Sequence, residues 1–308
     1  MKDFANKIRS NTPFNGPDGK AYFALSWVSI FWGTTWLASR VGVMNMPALQ
    51  LIGIRQFLGG LIFVLYFIYK KHPFPRGKQW IPIIILSILN FVFSNGFVIW
   101  GVKFISSGLG AIIGAIFPLW LVIISLVQGK KLLPATIVGM LMGFGGVCII
   151  FYDHLKDFLV PDFRFGIGIS LIASVTWAFG TLYTKYNAVS FNPYFSLGFQ
   201  MMISSLVFLG ISYGTGNVVP LSEIPTVSIW AIIYLIIIGS GVTFVAYIYA
   251  LQRLPTSLTS IYAYINPIVA VLLGAIALDE KINMFIIIGG AVALLGVFLV
   301  NQSFKNRL

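Results

Sequence analysis

KFISSGLGAIIGAIFPLWLVII, from Lys103 to Ile124, decides the fold, because the chain uses it twice. The looser second copy is QRLPTSLTSIYAYINPIVAVLL, from Gln252 to Leu273. Each copy opens on a short polar turn, Ser106-Ser107 in one and Pro255-Thr256-Ser257 in the other. Each continues as an apolar helix rich in small residues with one proline deep inside, Pro118 and Pro267, 149 positions apart. A proline within a helix removes a backbone donor and frees a carbonyl. In lipid such a break survives only where neighbouring helices, water or a bound solute satisfy the freed group. Matched interrupted helices in the two halves of a membrane chain point to a solute site between them.

The surrounding composition makes this a membrane chain. Of 308 residues, 58% are hydrophobic and 9% charged, against about 25% charged in soluble domains. Apolar runs of bilayer-spanning length follow one another with short gaps. They predict helices at 21–41, 47–70, 80–101, 107–128, 133–151, 166–187, 193–213, 228–251, 257–278 and 282–302. The fold class is therefore all-α integral membrane, about ten transmembrane helices arranged as two five-helix inverted repeats.

Other echoes support the repeat. WGTTW at 32–36 answers FGTLY at 179–183, Arg55-Gln56 falls opposite Phe199-Gln200, and Lys131, Gly139 and Gly146-Val147 answer Lys281, Gly289 and Gly296-Val297. Five helices per half force the second copy to insert upside down. The predicted organisation is a tail at 1–20, a first repeat at 21–151, an external linker at 152–165, a second repeat at 166–302 and a tail at 303–308. The N-terminal tail lacks the apolar core of a cleavable signal.

The net charge of +12 does not indicate nucleic acid, since the basic residues sit between apolar segments rather than in one patch. With the N-terminus inside, fourteen Lys and Arg fall in inner segments and five in outer ones (Arg40, Lys103, Lys156, Arg164, Lys281). The positive-inside rule then puts both termini in the cytoplasm. Cys148 is alone, which excludes an internal disulfide framework, and reads as a small buried hydrophobe. His72 and His154 fall in loops on opposite sides. No catalytic triad, metal site or cofactor motif is placed at a common depth.

Arg55 lies well inside its helix, and the acidic residues all lie in tails or loops, so it has no acidic partner in the membrane. Two readings stand side by side. It attracts a solute anion or lines a wet cavity, or it caps freed carbonyls and snorkels outward. Trp32 and Trp36, spaced i, i+4, share a helix face with Thr35 nearby. With Asn95, Trp177, Thr181, Gln200, Tyr247, Tyr264 and Asn266 they form the candidate substrate-binding set, rings and amides suited to an amphipathic solute. Gly33, Gly180, Pro118 and Pro267 are the candidate hinges. The spacings Gly110-x-x-x-Gly114 and Gly139-x-x-x-Gly143 predict close helix packing.

WGTTW, the paired GAIFPLW and AYINPIV helices, and GKKLLPATIVGMLMGFGGVCII echoed by DEKINMFIIIGGAVALLGVFLV resemble the drug/metabolite transporter superfamily, EamA type, from about Ala21 to Asn301. The resemblance implies a permease of the inner, cytoplasmic membrane, often an exporter, moving small metabolites such as amino acids. It also implies a path lined by helices one to four and six to nine, with the fifth and tenth outside. The chain departs from the superfamily's small multidrug exporters in having no membrane-embedded glutamate, which disfavours proton exchange through a buried carboxylate. Two alternatives are weaker. A sugar-phosphate or nucleotide-sugar carrier needs more than one cation facing the path, and an intramembrane lipid-modifying enzyme needs clustered acids or histidines. The expected partners are a small-molecule substrate and the lipid bilayer, not nucleic acid. No cofactor is implied, and a homodimer is left open.

Overall fold

The computed structural model describes residues 18–129, 133–187, 191–254, 259 and 262–305. The tail through Pro17, Lys130 and Lys131, and the turn Pro255-Thr256-Ser257 lie outside the described residues. Among the described residues ten long helices order the chain: α1 (Gly19–Asn45), α2 (Ala48–Tyr69), α3 (80–101), α4 (107–127), α5 (Pro134–Asp153), α6 (Pro161–Asn187), α7 (Pro193–Gly214), α8 (Thr226–Arg253), α9 (Tyr262–Leu278) and α10 (Met284–Lys305). Among the described residues there is no strand, and seven helices, α2 to α8, are long and apolar enough to cross a membrane. α9 and α10 contribute the shorter apolar stretches Tyr262–Leu278 and Met284–Val300. α1 is long but diluted by Ser26, Ser29, Thr34, Thr35 and Ser39. It packs against α8, α9 and α4, so protein covers much of it rather than lipid.

The second half is inverted relative to the first, and glycine contacts demonstrate it. A Cβ built on Gly139 of α5 would lie 2.7 Å from the Gly296 carbonyl of α10. One built on Gly289 of α10 would lie 2.6 Å from the Gly146 carbonyl of α5. Exchanging the repeats turns one contact into the other, since 139 and 146 correspond to 289 and 296. Ascending α5 meets descending α10, so these equivalent helices run antiparallel. α2 and α7 cross likewise, Gly60 meeting Gly198 and Gly53 meeting Leu209. The exchange holds elsewhere: α1 packs on α8 and α9, and α6 packs on α3 and α4. Only glycine lets backbones approach this closely, and in lipid such packing replaces the hydrophobic drive of a soluble core.

Two features go beyond the sequence reading. Ser87–Gly96 of α3 and Leu235–Thr243 of α8 are π-helical, at matched places in the two repeats. The proline helices, by contrast, differ. α4 is broken at Ile116 into Ser107–Ala115 and Phe117–Val127, with Pro118 at the start of the second piece. α9 runs uninterrupted through Pro267. Each proline forfeits one hydrogen bond. The first copy turns there, whereas the second absorbs the loss within a continuous helix. Cys148 is exposed on α5 rather than buried, because α5 turns its glycine face to α10 and leaves the cysteine outward.

The terminal end of the bundle is where α1 begins and α10 finishes. At the opposite end two polar clasps hold the connections. Arg40 Nη1 donates to the carbonyls of Val102 (2.5 Å) and Lys103 (2.7 Å). Glu280, from the α9–α10 turn, accepts from Ser107 N (2.8 Å), Ser107 Oγ (2.8 Å) and Gly108 N (3.3 Å). A carboxylate there satisfies orphan donors and meets the positive end of α4. Glu280→Ala is expected to cost about 1–2 kcal/mol, seen as a lower unfolding temperature in detergent, with Glu280→Gln falling between. An unchanged midpoint would remove the clasp from the account of stability.

Candidate functional site

A cavity of about 110 Å³ lies between the repeats, several times the ~10–15 Å³ that a single water needs. α1 turns Trp32, Thr35, Trp36 and Ser39 into it, the i, i+3, i+4, i+7 stripe of one helix face. α2 adds Arg55, α3 adds Ser94 and Asn95, and α4 adds Ala111, Gly114 and Phe117. From the second repeat come Ala173, Ser174 and Trp177 of α6 and Tyr262, Ala263 and Asn266 of α9. The carbonyls that Pro118 and Pro267 cannot reach, four residues back, belong to Gly114 and Ala263. Both prolines therefore loosen the backbone at the cavity wall.

The floor, toward the terminal end, is aromatic. Trp32 meets Trp177, Phe244, Tyr247 and Tyr262 with ring centroids 5.0–5.8 Å apart. Phe117 stacks on Tyr262 at 5.9 Å. Trp177 Nε1 donates to the Tyr262 hydroxyl at 2.9 Å, fixing both rings. Trp36 forms a side wall. Ideal Cβ atoms on Gly110 and Gly114 would lie 2.9 and 3.0 Å from its ring. The Gly110-x-x-x-Gly114 spacing thus seats an indole rather than a second helix backbone.

The other half of the cavity is polar. Ser39, Arg55, Ser94 and Asn95 each lie six or seven residues from the opposite-end terminus of their helix. That places them at a shared depth of about 10 Å along the helix axes. Arg55 is 4% exposed. Its Nε donates to Ser240 Oγ at 3.1 Å, the one hydrogen bond its side chain makes among the described residues. A Cβ on Gly239 would come within 3.0 Å of Nη2, so that glycine makes room for the guanidinium. Asn95 also makes no hydrogen bond among the described residues. Ser174 is engaged by Trp120 Nε1 at 2.7 Å. The Asn266 amide, oriented by its surroundings, donates to Ser29 O (2.7 Å) and Tyr262 O (3.3 Å), tying α9 to α1.

Of the residues singled out from sequence, Trp32, Thr35, Trp36, Arg55, Asn95, Trp177 and Asn266 come together around this cavity, and four do not. Tyr247 lies beneath Trp32, behind the floor. Thr181 is buried one helical turn past Trp177 toward the terminal end. Gln200 donates to Ser196 Oγ (2.8 Å) within α7. Tyr264 donates to Val297 O (2.8 Å) on α10. Among the hinge candidates, Gly33 and Gly180 are points of close approach. Val269 Cβ would be 2.6 Å from a Cβ at Gly33, and Asn90 Oδ1 presses directly on Gly180. α5 and α10 contribute nothing to the lining, and neither do α7 and α8, although Ser240 of α8 holds Arg55. Sequence reading missed Ser39, on the Trp32 stripe, and Ser94, adjacent to Asn95. Nothing in the sequence signalled Ser240 or the Glu280 clasp.

The EamA-like transporter family model matches residues 19–152 and 164–302. The chain belongs to the EamA-like transporter family. It is 24% identical to "Uncharacterized transporter YoaV" of Bacillus subtilis (strain 168), over 91% of this chain and 96% of that one. It is 28% identical to "Uncharacterized inner membrane transporter YedA" of Escherichia coli (strain K12), over 82% and 80%. A solved crystal structure superposes with a TM-score of 0.65 at 18% identity, covering 94% of this chain and 99% of that one, a likeness of fold. This EamA-like protein is a multi-pass, membrane-embedded chain, and its relatives are named as transporters.

Proposed function

We propose that this protein is an alternating-access carrier, an exporter of small amphipathic metabolites, amino acids and related compounds among them. It works in the cytoplasmic membrane with both termini inside. The carrying observation is a cavity walled by both inverted repeats, aromatic at one end and polar at the other. The break at Ile116–Pro118, the proline in α9 and the tight contacts at Gly33 and Gly180 are where one repeat rocks against the other. A sugar-phosphate carrier is disfavoured, because Arg55 is the one cationic side chain lining the cavity among the described residues.

Proteoliposomes preloaded with a panel of amino acids, amines, carboxylates and sugar phosphates should release at least one solute faster than protein-free vesicles. Overexpressing cells should resist toxic amino-acid analogues; sensitisation would reverse the direction. No flux for any panel member from folded protein would end the carrier reading.

A further inference from the structure

We propose that the cavity selects solutes carrying one net negative charge, as a carboxylate on an apolar body, over zwitterions and cations. The inference rests on the carrier reading for its biological meaning and shifts the preferred solute within it, away from neutral amino acids and toward the related monocarboxylates. Its own basis is the charge arrangement around Arg55.

Arg55 is 4% exposed, its guanidinium lies in the wall of a cavity, and among the described residues only its Nε is engaged, by a neutral hydroxyl. The Nη groups keep their donors in a fork matched to a planar carboxylate. Among the described residues no acidic side chain lines the cavity. Asp18, Asp157, Asp162, Glu223, Asp279 and Glu280 all sit at helix ends or in connections. Arg55 therefore places in the cavity wall one positive charge with no acidic side chain beside it among the described residues, in low dielectric, and a monoanion neutralises it. A zwitterion would bring an ammonium close to that same guanidinium with no carboxylate to receive it. A cation would meet the repulsion without the compensating pair.

The geometry also sets the orientation. Ser39, Ser94 and Asn95 lie at the depth of Arg55 and offer hydroxyl and amide groups to the carboxylate's remaining lone pairs. Trp32, Trp177 and Tyr262 lie deeper, toward the terminal end, where an apolar or aromatic body fits against ring faces and edges. The head points to the opposite end and the body to the floor.

The test uses three probes of nearly one skeleton with three charges: 3-phenylpropionate, phenylalanine and phenethylamine. Each is titrated into the purified full chain in detergent, with quenching of tryptophan fluorescence as the readout. 3-Phenylpropionate should bind roughly tenfold or more tighter than the other two. Arg55→Gln should abolish that preference, and Arg55→Lys, which keeps the charge but loses the fork, should fall between. Phenylalanine or phenethylamine binding as tightly as the acid overturns the proposal. So does an Arg55→Gln protein that retains the preference, and so does the absence of binding by all three to monodisperse wild-type protein. Carboxylate-selective binding without flux of any solute leaves this inference standing and ends the carrier reading instead.

Discussion

Gly146→Leu separates α5 from α10 and costs about 3 kcal/mol or more, the upper range for overpacking. The Gly289 carbonyl and the Ala293 backbone occupy the space a side chain would need, and backbone cannot swing aside as a side-chain tip can. Both helices must part along their whole crossing, and the Gly139–Gly296 contact loosens with them. The expected readout is an unfolding midpoint lowered by several degrees in detergent, or loss of monodisperse protein. The neighbouring position supplies the control. Nothing lies within 4 Å of a Cβ at Gly145, so Gly145→Leu should stay within about 0.5 kcal/mol of the parent. Equal effects at 145 and 146 would show that the substitution acts through insertion or expression rather than through the crossing.

Trp32→Ala carries the largest functional effect. The indole touches four rings from three other helices, and removing it costs about 3–5 kcal/mol of packing. It also extends the cavity toward Tyr247 and thins the barrier on the terminal side. Saturable solute flux in proteoliposomes should fall about tenfold or more, with a raised non-saturable leak of small solutes. Trp32→Phe keeps a ring on the floor and should retain most of the saturable flux. Unchanged saturable flux by Trp32→Ala would place the barrier elsewhere.

Much of this architecture was legible in the chain, for identifiable reasons. Apolar runs give spans because lipid demands them, and matched prolines and glycines give the repeat because both halves meet the same packing constraints. The α1 stripe was legible because Trp32 and Trp36 are four residues apart, and that spacing alone puts them on one face. Helix phase was not legible where no such pair existed. Tyr264 stood beside Asn266 and Pro267 in the sequence, yet a residue two positions along a helix points nearly the opposite way. Tyr262 therefore took the cavity face and Tyr264 turned to α10. Gln200 was an embedded amide seeking a partner, and it found one a single turn back at Ser196. The π-helical stretches of α3 and α8 carry no composition of their own, and Glu280 caps a helix start 173 positions away. Such long-range pairings depend on how helices are brought together, which no local pattern encodes.

The glycine seam between α5 and α10 has a wider consequence. Because exchange of the halves turns each contact into the other, a single five-helix unit already possesses both faces of the joint, as in an isologous dimer. Two separate copies of one such unit, inserted in opposite orientations in the bilayer, would offer each other the same surfaces. The connection between α5 and α6 then contributes proximity, raising effective concentration, while the complementarity belongs to the half itself.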